Sequence, residues 1–444
     1  MATLQNLFDS LQNVVAGLGT SRDKRSYTTY GFVDVLDQMS LSAMYRTSWL
    51  AKKIVNAPAD DMCREWFSCQ FAGESEQDEI CEVEKRYSVK FKVNEAIKLA
   101  RLYGGSIIVL VFMDQPNMAE PLDLDTIKPE SLVSLQVIDR NRISPSGGIN
   151  TDIESPNFGL PEMYIVGENG KLIHHSRVLR FDGQRLPYLD WMSNGMWHDS
   201  ELQHCLDSIK NYDTTSAAIA TMVFEANIDI LKSPELNRLV STADGEAKAI
   251  KRFQLSTLMK SFNRTLLLDK EDEYEKKSNS FSGLDGVVQQ FMVDVAGACD
   301  IPVTRLFGRS AVGMNATGEG DLTNYYDKLA ANQESDLRPL LERLYEMLYR
   351  SAFGKPSDEM KLTFNPLWQI DAVEQSGIDK TNADRDLIYL NAGIVSPTLI
   401  ATELKERGTY KNMTDEDINL VEEMSRMLEE AEVDNEQTIP EPDA

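Results

Sequence analysis

Histidine is scarce in this chain: four residues, His174, His175, His198 and His204, in a length of 444. Cysteine is scarce too, with five. That rules out a disulfide framework, and the spacing of Cys63, Cys69 and Cys81 fits no common zinc pattern. The cysteines read as small apolar residues of a reducing compartment. The longest apolar run, 107–113, is far too short to span a membrane. Residues 1–21 hold no Lys or Arg, so no signal-peptide start is expected and the chain reads as made and folded in the cytoplasm. Basic residues are outnumbered, 45 against 71 acidic, for a net charge of −26. A protein that grips nucleic acid by neutralising phosphates needs clustered Lys and Arg, so that class is disfavoured. A wall past which nucleic acid slides is still open.

The composition is otherwise globular, 42% hydrophobic and 26% charged, and the length allows two to four units. Leu4, Leu7, Phe8, Leu11, Val14, Val15 and Leu18 recur at helical spacing, which predicts an amphipathic arm closed by Gly17 and Gly19. Helices are predicted over 41–55, ending near Pro58, and over 93–103, ending at Gly104-Gly105. Strand-like runs follow at 107–112, 133–138, 163–166 and 171–181, making the first 190 residues a mixed α+β unit. A long helix is expected from 201 to 226, then a strand at 228–232, a helix over 234–262 and a strand at 265–269. Ser282 and Asp285 form a capping-box pattern before an apolar stripe of Leu284, Val287, Val288, Phe291, Met292 and Val295. A helix over 321–350 should kink at Pro339. After a strand at 361–364, helices are expected over 383–391, over 397–407 with Ser396 as cap, and over 415–428 with Thr414 as cap. The acidic residues 429–444 read as a disordered tail.

The motifs that could carry chemistry are few. The segment GRSAVGMNATGEG (308–320) has the G-x-x-x-x-G spacing of a phosphate loop at Gly308 and Gly313. Met314 and Asn315 stand where that loop needs a Lys and a hydroxyl, so nucleotide binding and a nucleotide-driven motor are disfavoured. What the segment retains is freedom to change shape between two apolar helices, as a connector, a lid or the lining of a passage. His174-His175-Ser176 and His198-Asp199-Ser200 are H-x-S triplets, as a two-histidine phosphodiesterase would use, with one imidazole as base and the other as acid. The cheaper reading makes them structural, the second capping the helix that follows. Asp60-Asp61 with Glu65 reads as a helix end beside Arg64 and Trp66, and the run DKEDEYE (269–275) as a solvated face. No nucleophile elbow or dinucleotide fingerprint is present.

Five stretches together resemble the portal proteins of tailed bacteriophages: YRTSWLAKKIVNAPADDMCREWF (45–67), AIKLARLYGGSIIVL (96–110), HHSRVLRFDGQRLP (174–187), CDIPVTRLFGRSAVGMNATGEGDLTNYYD (299–327) and LIYLNAGIVSP (387–397). The resemblance implies an α+β portal-type fold with a mixed wing, two-helix stem, β-α-β clip, long kinked helix and helical crown. In boundaries it implies an N-terminal arm 1–29, wing 30–198, first stem helix 199–226, clip 227–283, second stem helix 284–300, tunnel-loop region 301–320, long wing helix and strand 321–370, crown 371–428 and tail 429–444. The implied function is a dodecameric ring at one capsid vertex, the channel for genome packaging and ejection, without catalysis and without a cofactor. The implied partners are other copies of the chain, the terminase large subunit, capsid and scaffold proteins, tail and neck adaptor proteins, and double-stranded DNA passing without sequence-specific binding; no membrane is involved. The virion is the implied location, after assembly in the host cytoplasm. Gly308, Arg309, Ser310, Gly313, Met314, Asn315, Thr317 and Gly318 are the implied tunnel-loop residues, with Arg309 and Asn315 nearest the DNA backbone. The other readings to be weighed are the phosphodiesterase using His174 and His198, the motor subunit, and a monomeric adaptor of the same fold.

Overall fold

A computed structural model describes residues 35–436 apart from 72–73, 156, 168–169, 225–226, 233–244, 246, 249, 252–253, 255–272, 279–282, 309–317, 358–359, 369–371, 407–408 and 411–412. The chain is a mostly helical α+β protein with small sheets. It divides into two units, 1–367 and 368–444.

In the first unit, α1 (Gln38–Thr47) and α2 (Trp49–Arg64) are separated at Ser48, whose hydroxyl accepts from Ala51 N–H and starts the second helix. A helix ending near Pro58 was expected, but α2 continues to Arg64 with the proline inside it. Proline removes the donor that would reach the Ile54 carbonyl. The Arg101 guanidinium supplies the replacement, with Nη2 3.1 Å from Ile54 O and Nε 3.2 Å from Val55 O. A distant side chain thus repairs the helix, which a local reading cannot see.

Strand β1 (Phe67–Gln70), α3 (Glu74–Tyr87) and α4 (Val89–Tyr103) follow. The run β2 (Gly105–Phe112) is the centre of a three-stranded antiparallel sheet, between β3 (Leu132–Asp139) and β7 (Val178–Asp182). Its unbroken apolar sequence has a reason: both faces are covered. Ile108, Leu110 and Phe112 enter the main core with Val93, Ala96 and Ala100 of α4. Ile107 and Val109 enter a second core with Tyr164, Ile173 and Trp197. A second sheet joins β4 (Ile143–Ile149), β5 (Pro161–Val166) and β6 (Lys171–His174). The single strand expected over 171–181 is therefore two strands in two sheets, divided by a tight turn at His175–Arg177. There the His174 ring nitrogen accepts from Ser176 N–H, and Arg177 is buried with its guanidinium on the carbonyls of Glu120 and Gln115.

After the short α5 (Tyr188–Ser193) come α6 (Glu201–Phe224) and, after 59 intervening residues, α7 (Leu284–Cys299). Between them β8 (Asn227–Lys232) pairs antiparallel with β9 (Glu273–Ser278). The run 269–275, taken for a solvated face, supplies the start of β9. The strand expected at 265–269, most of the helix expected over 234–262 and the residue Ser282 lie outside the described residues; α7 begins at Leu284 with Gly283 as its N-cap, so the capping box expected from Ser282 is displaced. Burial on α6 is confined to Leu202, Cys205 and Ile209, and on α7 to Val295, Ala296 and Cys299. Beyond those ends the apolar stripe of α7 is half-buried, with Val287 exposed at 45%.

The helix expected over 321–350 is α9 (Glu319–Asn332) and α10 (Arg338–Phe353), joined by a π-helical turn, Gln333–Leu337. The interruption precedes Pro339, which sits in the first turn of α10, where its missing N–H matters least. The short α8 (Val303–Phe307) lies just upstream of α9, and β10 (Lys361–Phe364) closes the unit by pairing with β1. The second unit is helical: α11 (Ala372–Asn391), α12 (Pro397–Glu406) capped by Ser396, and α13 (Asp415–Glu436) capped by Thr414. The last helix reaches Glu436, past the expected start of the tail at 429; residues 1–34 and 437–444 lie outside the described residues.

Candidate functional site

Of the eight residues assigned to the glycine-rich segment, only Gly308 and Gly318 are described; Arg309, Ser310, Gly313, Met314, Asn315 and Thr317 are not. What the structure gives is the ground on which the segment starts and ends. Gly318 lies in the left-handed region, φ 65°, and a Cβ there would stand 2.8 Å from Thr304 Cγ2. The two flanks therefore touch, and only glycine permits both the conformation and the approach.

One carboxylate holds both flanks. Asp61 of α2, 2% exposed, accepts from Arg305 of α8 through Nε and Nη2, each at 2.9 Å. It also accepts from Tyr325 of α9, whose hydroxyl is 3.0 Å away. Arg305 lies before the segment and Tyr325 after it. A paired, bidentate geometry is what makes a buried carboxylate tolerable. Burial and the neighbouring Asp61 charge push the Tyr325 phenol upward, so it remains a donor. Phe307 adds an apolar fastening, edge-on to Trp49 of α2 at 5.8 Å and 5.4 Å from Tyr212 of α6.

Asp61 borders a cleft of about 790 Å³ lined also by Asp60, Arg64, Lys90, Asn94 and Lys98. Several of its cations are engaged: Lys98 on Asp60 at 2.6 Å, Lys90 on the Arg64 carbonyl at 3.0 Å, Arg305 on Asp61. Among the described residues no group of three or more His, Cys, Asp or Glu could hold a metal, and no helix is long and apolar enough to cross a membrane.

The two H-x-S triplets have structural occupations. His174 accepts from Ser176 N–H at 3.2 Å and lies 2.9 Å from its hydroxyl. The His198 Nδ1 accepts from Leu186 N–H at 3.1 Å. Burial holds both imidazoles below the ordinary range. Nδ1 of His174 is thus spent on its own turn and that of His198 on the segment before α5, and no hydrogen bond joins the two rings. Asp61 was passed over as a helix end. The signal that points to it is spacing: Leu50, Ile54, Pro58 and Asp61 fall on one helix face, which makes a buried carboxylate there conspicuous.

A family model described as "Phage portal protein" matches residues 39–388. A protein named "Anti-CBASS protein Acb1" from Caulobacter sp. (strain RHG1) is 37% identical over 85% of this chain, which spans 62% of that protein's length. An "Uncharacterized protein" of Haemophilus influenzae is 33% identical over 97% of this chain and 98% of its own. Among solved structures, a chain from "Neck of empty GTA particle computed with C6 symmetry" aligns over 85% of this chain and 95% of its own, at 15% identity and a TM-score of 0.48.

Proposed function

This chain belongs to the phage portal protein family, and from that premise we propose that it forms a dodecameric ring at one capsid vertex through which DNA is packaged and ejected. In this reading α6 and α7 are the stem, 227–283 the clip that meets the terminase large subunit and then tail or neck adaptors, and 30–198 with the long helix 321–350 the wing toward capsid and scaffold proteins. Residues 371–428 are the crown, and the arm 1–29 packs on a neighbouring copy. The segment after Gly308 lines the channel, with Arg309 and Asn315 toward the DNA backbone, and the assembly resides in the virion after formation in the host cytoplasm. The role is that of a conduit, with no catalytic step assigned to any residue.

The observation that supports it most is the burial pattern of α6 and α7. Each is fully buried only at the end that enters the main core, while along the rest of α7 the apolar stripe is half-buried, with Val287 exposed. A long helix with an uncovered apolar stripe needs a partner surface. A head-to-tail contact repeated by rotation supplies one in every subunit and closes a ring. The anti-CBASS property named for the Caulobacter relative we assign to the part of that longer protein with no counterpart here.

The deciding experiment is the solution mass of the purified chain with negative-stain images of the same fraction. A closed ring of about twelve copies with a hole that passes duplex DNA supports the reading. A chain that stays monomeric with scaffold present, and hydrolyses phosphodiesters in a manner lost in His174→Ala or His198→Ala, would sink it.

A further inference from the structure

Two of the five cysteines meet. Cys205 lies in the first turns of α6 and Cys299 at the last residue of α7, 94 positions apart, with their sulfurs 2.8 Å from each other. The separation exceeds a disulfide bond by only about 0.8 Å. Both are buried, Cys205 at 0% and Cys299 at 6% exposure. The Cys299 thiol points at the Cys205 sulfur, and the Cys205 thiol lies 3.5 Å from the Ala298 carbonyl. The other three are differently placed: Cys63 and Cys69 are buried with no cysteine sulfur in contact and Cys81 is half-buried, while a raised thiol is common to Cys63, Cys69 and Cys205 and does not distinguish them.

We propose that Cys205 and Cys299 form a dithiol modification site, which a peroxide converts to a reversible cross-link between the root of α6 and the end of α7. Cys299, the more exposed of the two, meets the oxidant first. Its sulfur attacks one peroxide oxygen, the O–O bond breaks, and a sulfenic acid and one water result. The Cys205 sulfur then attacks the Cys299 sulfur, forming S–S and breaking S–O. The Cys205 proton goes to the departing hydroxide and makes the second water. Two thiols and one peroxide thus become one disulfide and two waters. A dithiol reductant reverses it by thiolate exchange. The proposal stands on this geometry alone and does not depend on the ring.

The test uses the full chain, natively folded, treated with stoichiometric hydrogen peroxide and read by intact mass. The product is then unfolded, alkylated and digested. The expected product is lighter by two hydrogens. Its peptides containing Cys205 and Cys299 are joined, Cys63, Cys69 and Cys81 are alkylated, and dithiothreitol restores the starting mass. The same treatment of Cys299→Ser should give no joined peptide and no loss of hydrogens. Addition of oxygen at Cys81 with Cys205 and Cys299 still alkylated in full would overturn the proposal. So would a bridge between any other pair, or one that forms only after unfolding. Because the decisive reading is made on the unaltered chain, a poorly folding variant does not rescue or obscure it.

Discussion

At the scale of single residues, one carboxylate and one imidazole govern what the fold tolerates. Replacing Asp61 by Ala leaves the Arg305 guanidinium, two-thirds covered, and the buried Tyr325 hydroxyl without their acceptor. The expected cost is about 3 kcal/mol of unfolding free energy, read as a lower urea midpoint with an unchanged slope. His175 is the second. Burial, with the His174 and Arg343 charges beside it, lowers its imidazole from 6.5 to about 4. The groups acting on it are His174, beside it in the chain, and Arg343 on α10, which donates to the His175 and Ser176 carbonyls. The unfolded chain therefore binds the extra proton first. Stability is full above about pH 6.5 and is lost as pH falls toward 4. In His175→Gln the melting temperature should change less across that window, and an unchanged slope would remove His175 as its source. Of these residues, Asp61 was legible in sequence only through its helical phase. Its partners, 244 and 264 positions away, were not, because nothing local encodes them.

Between elements, glycine sets how closely backbones approach. Gly104 ends α4 at φ 86°, and a Cβ there would lie 2.1 Å from the His198 carbonyl oxygen. That neighbour is backbone, fixed by Arg140 and Asn194, and has nowhere to move. Gly104→Ala should therefore cost upward of about 2 kcal/mol, combining strain with displaced packing. Thermal unfolding measures it, with Gly148→Ala, which shares a positive φ but has open space, as the comparison. The sequence announced Gly104-Gly105 as a helix stop, and the structure places α4's end there. Elements set by periodicity and caps were the readable ones: α6, α7, α12, and β2 as an unbroken apolar run. Those that depend on a remote partner were not. α3, β1 and β4 went unassigned, β9 was hidden in a charged run, and α2 crosses its proline only because Arg101 reaches over from α4.

Across the whole molecule, charge and oligomer compete. Each copy carries −26, and copies placed side by side repel at the range of the Debye length. If the chain closes into a ring, sedimentation should show the ring fraction rising as salt increases from about 0.01 M to about 0.3 M, where screening shortens from about 30 Å to under 8 Å. A ring held chiefly by ion pairs would show the reverse. The family was legible in five short stretches of sequence, since it is carried by matching order along the chain. Which acidic residues face one another in an assembly is set by packing between copies, and no stretch of one copy's sequence records that.

The chain departs from the first unit's core through α6 and re-enters it through α7, and at that crossing Cys205 and Cys299 stand sulfur against sulfur. Both helices leave and enter the body at that one crossing. A different excursion fits the same body provided its two ends arrive at that spacing. Lineages can therefore trade what hangs outside while inheriting the house unchanged, so a family tree drawn from the body and one drawn from the excursion need not agree.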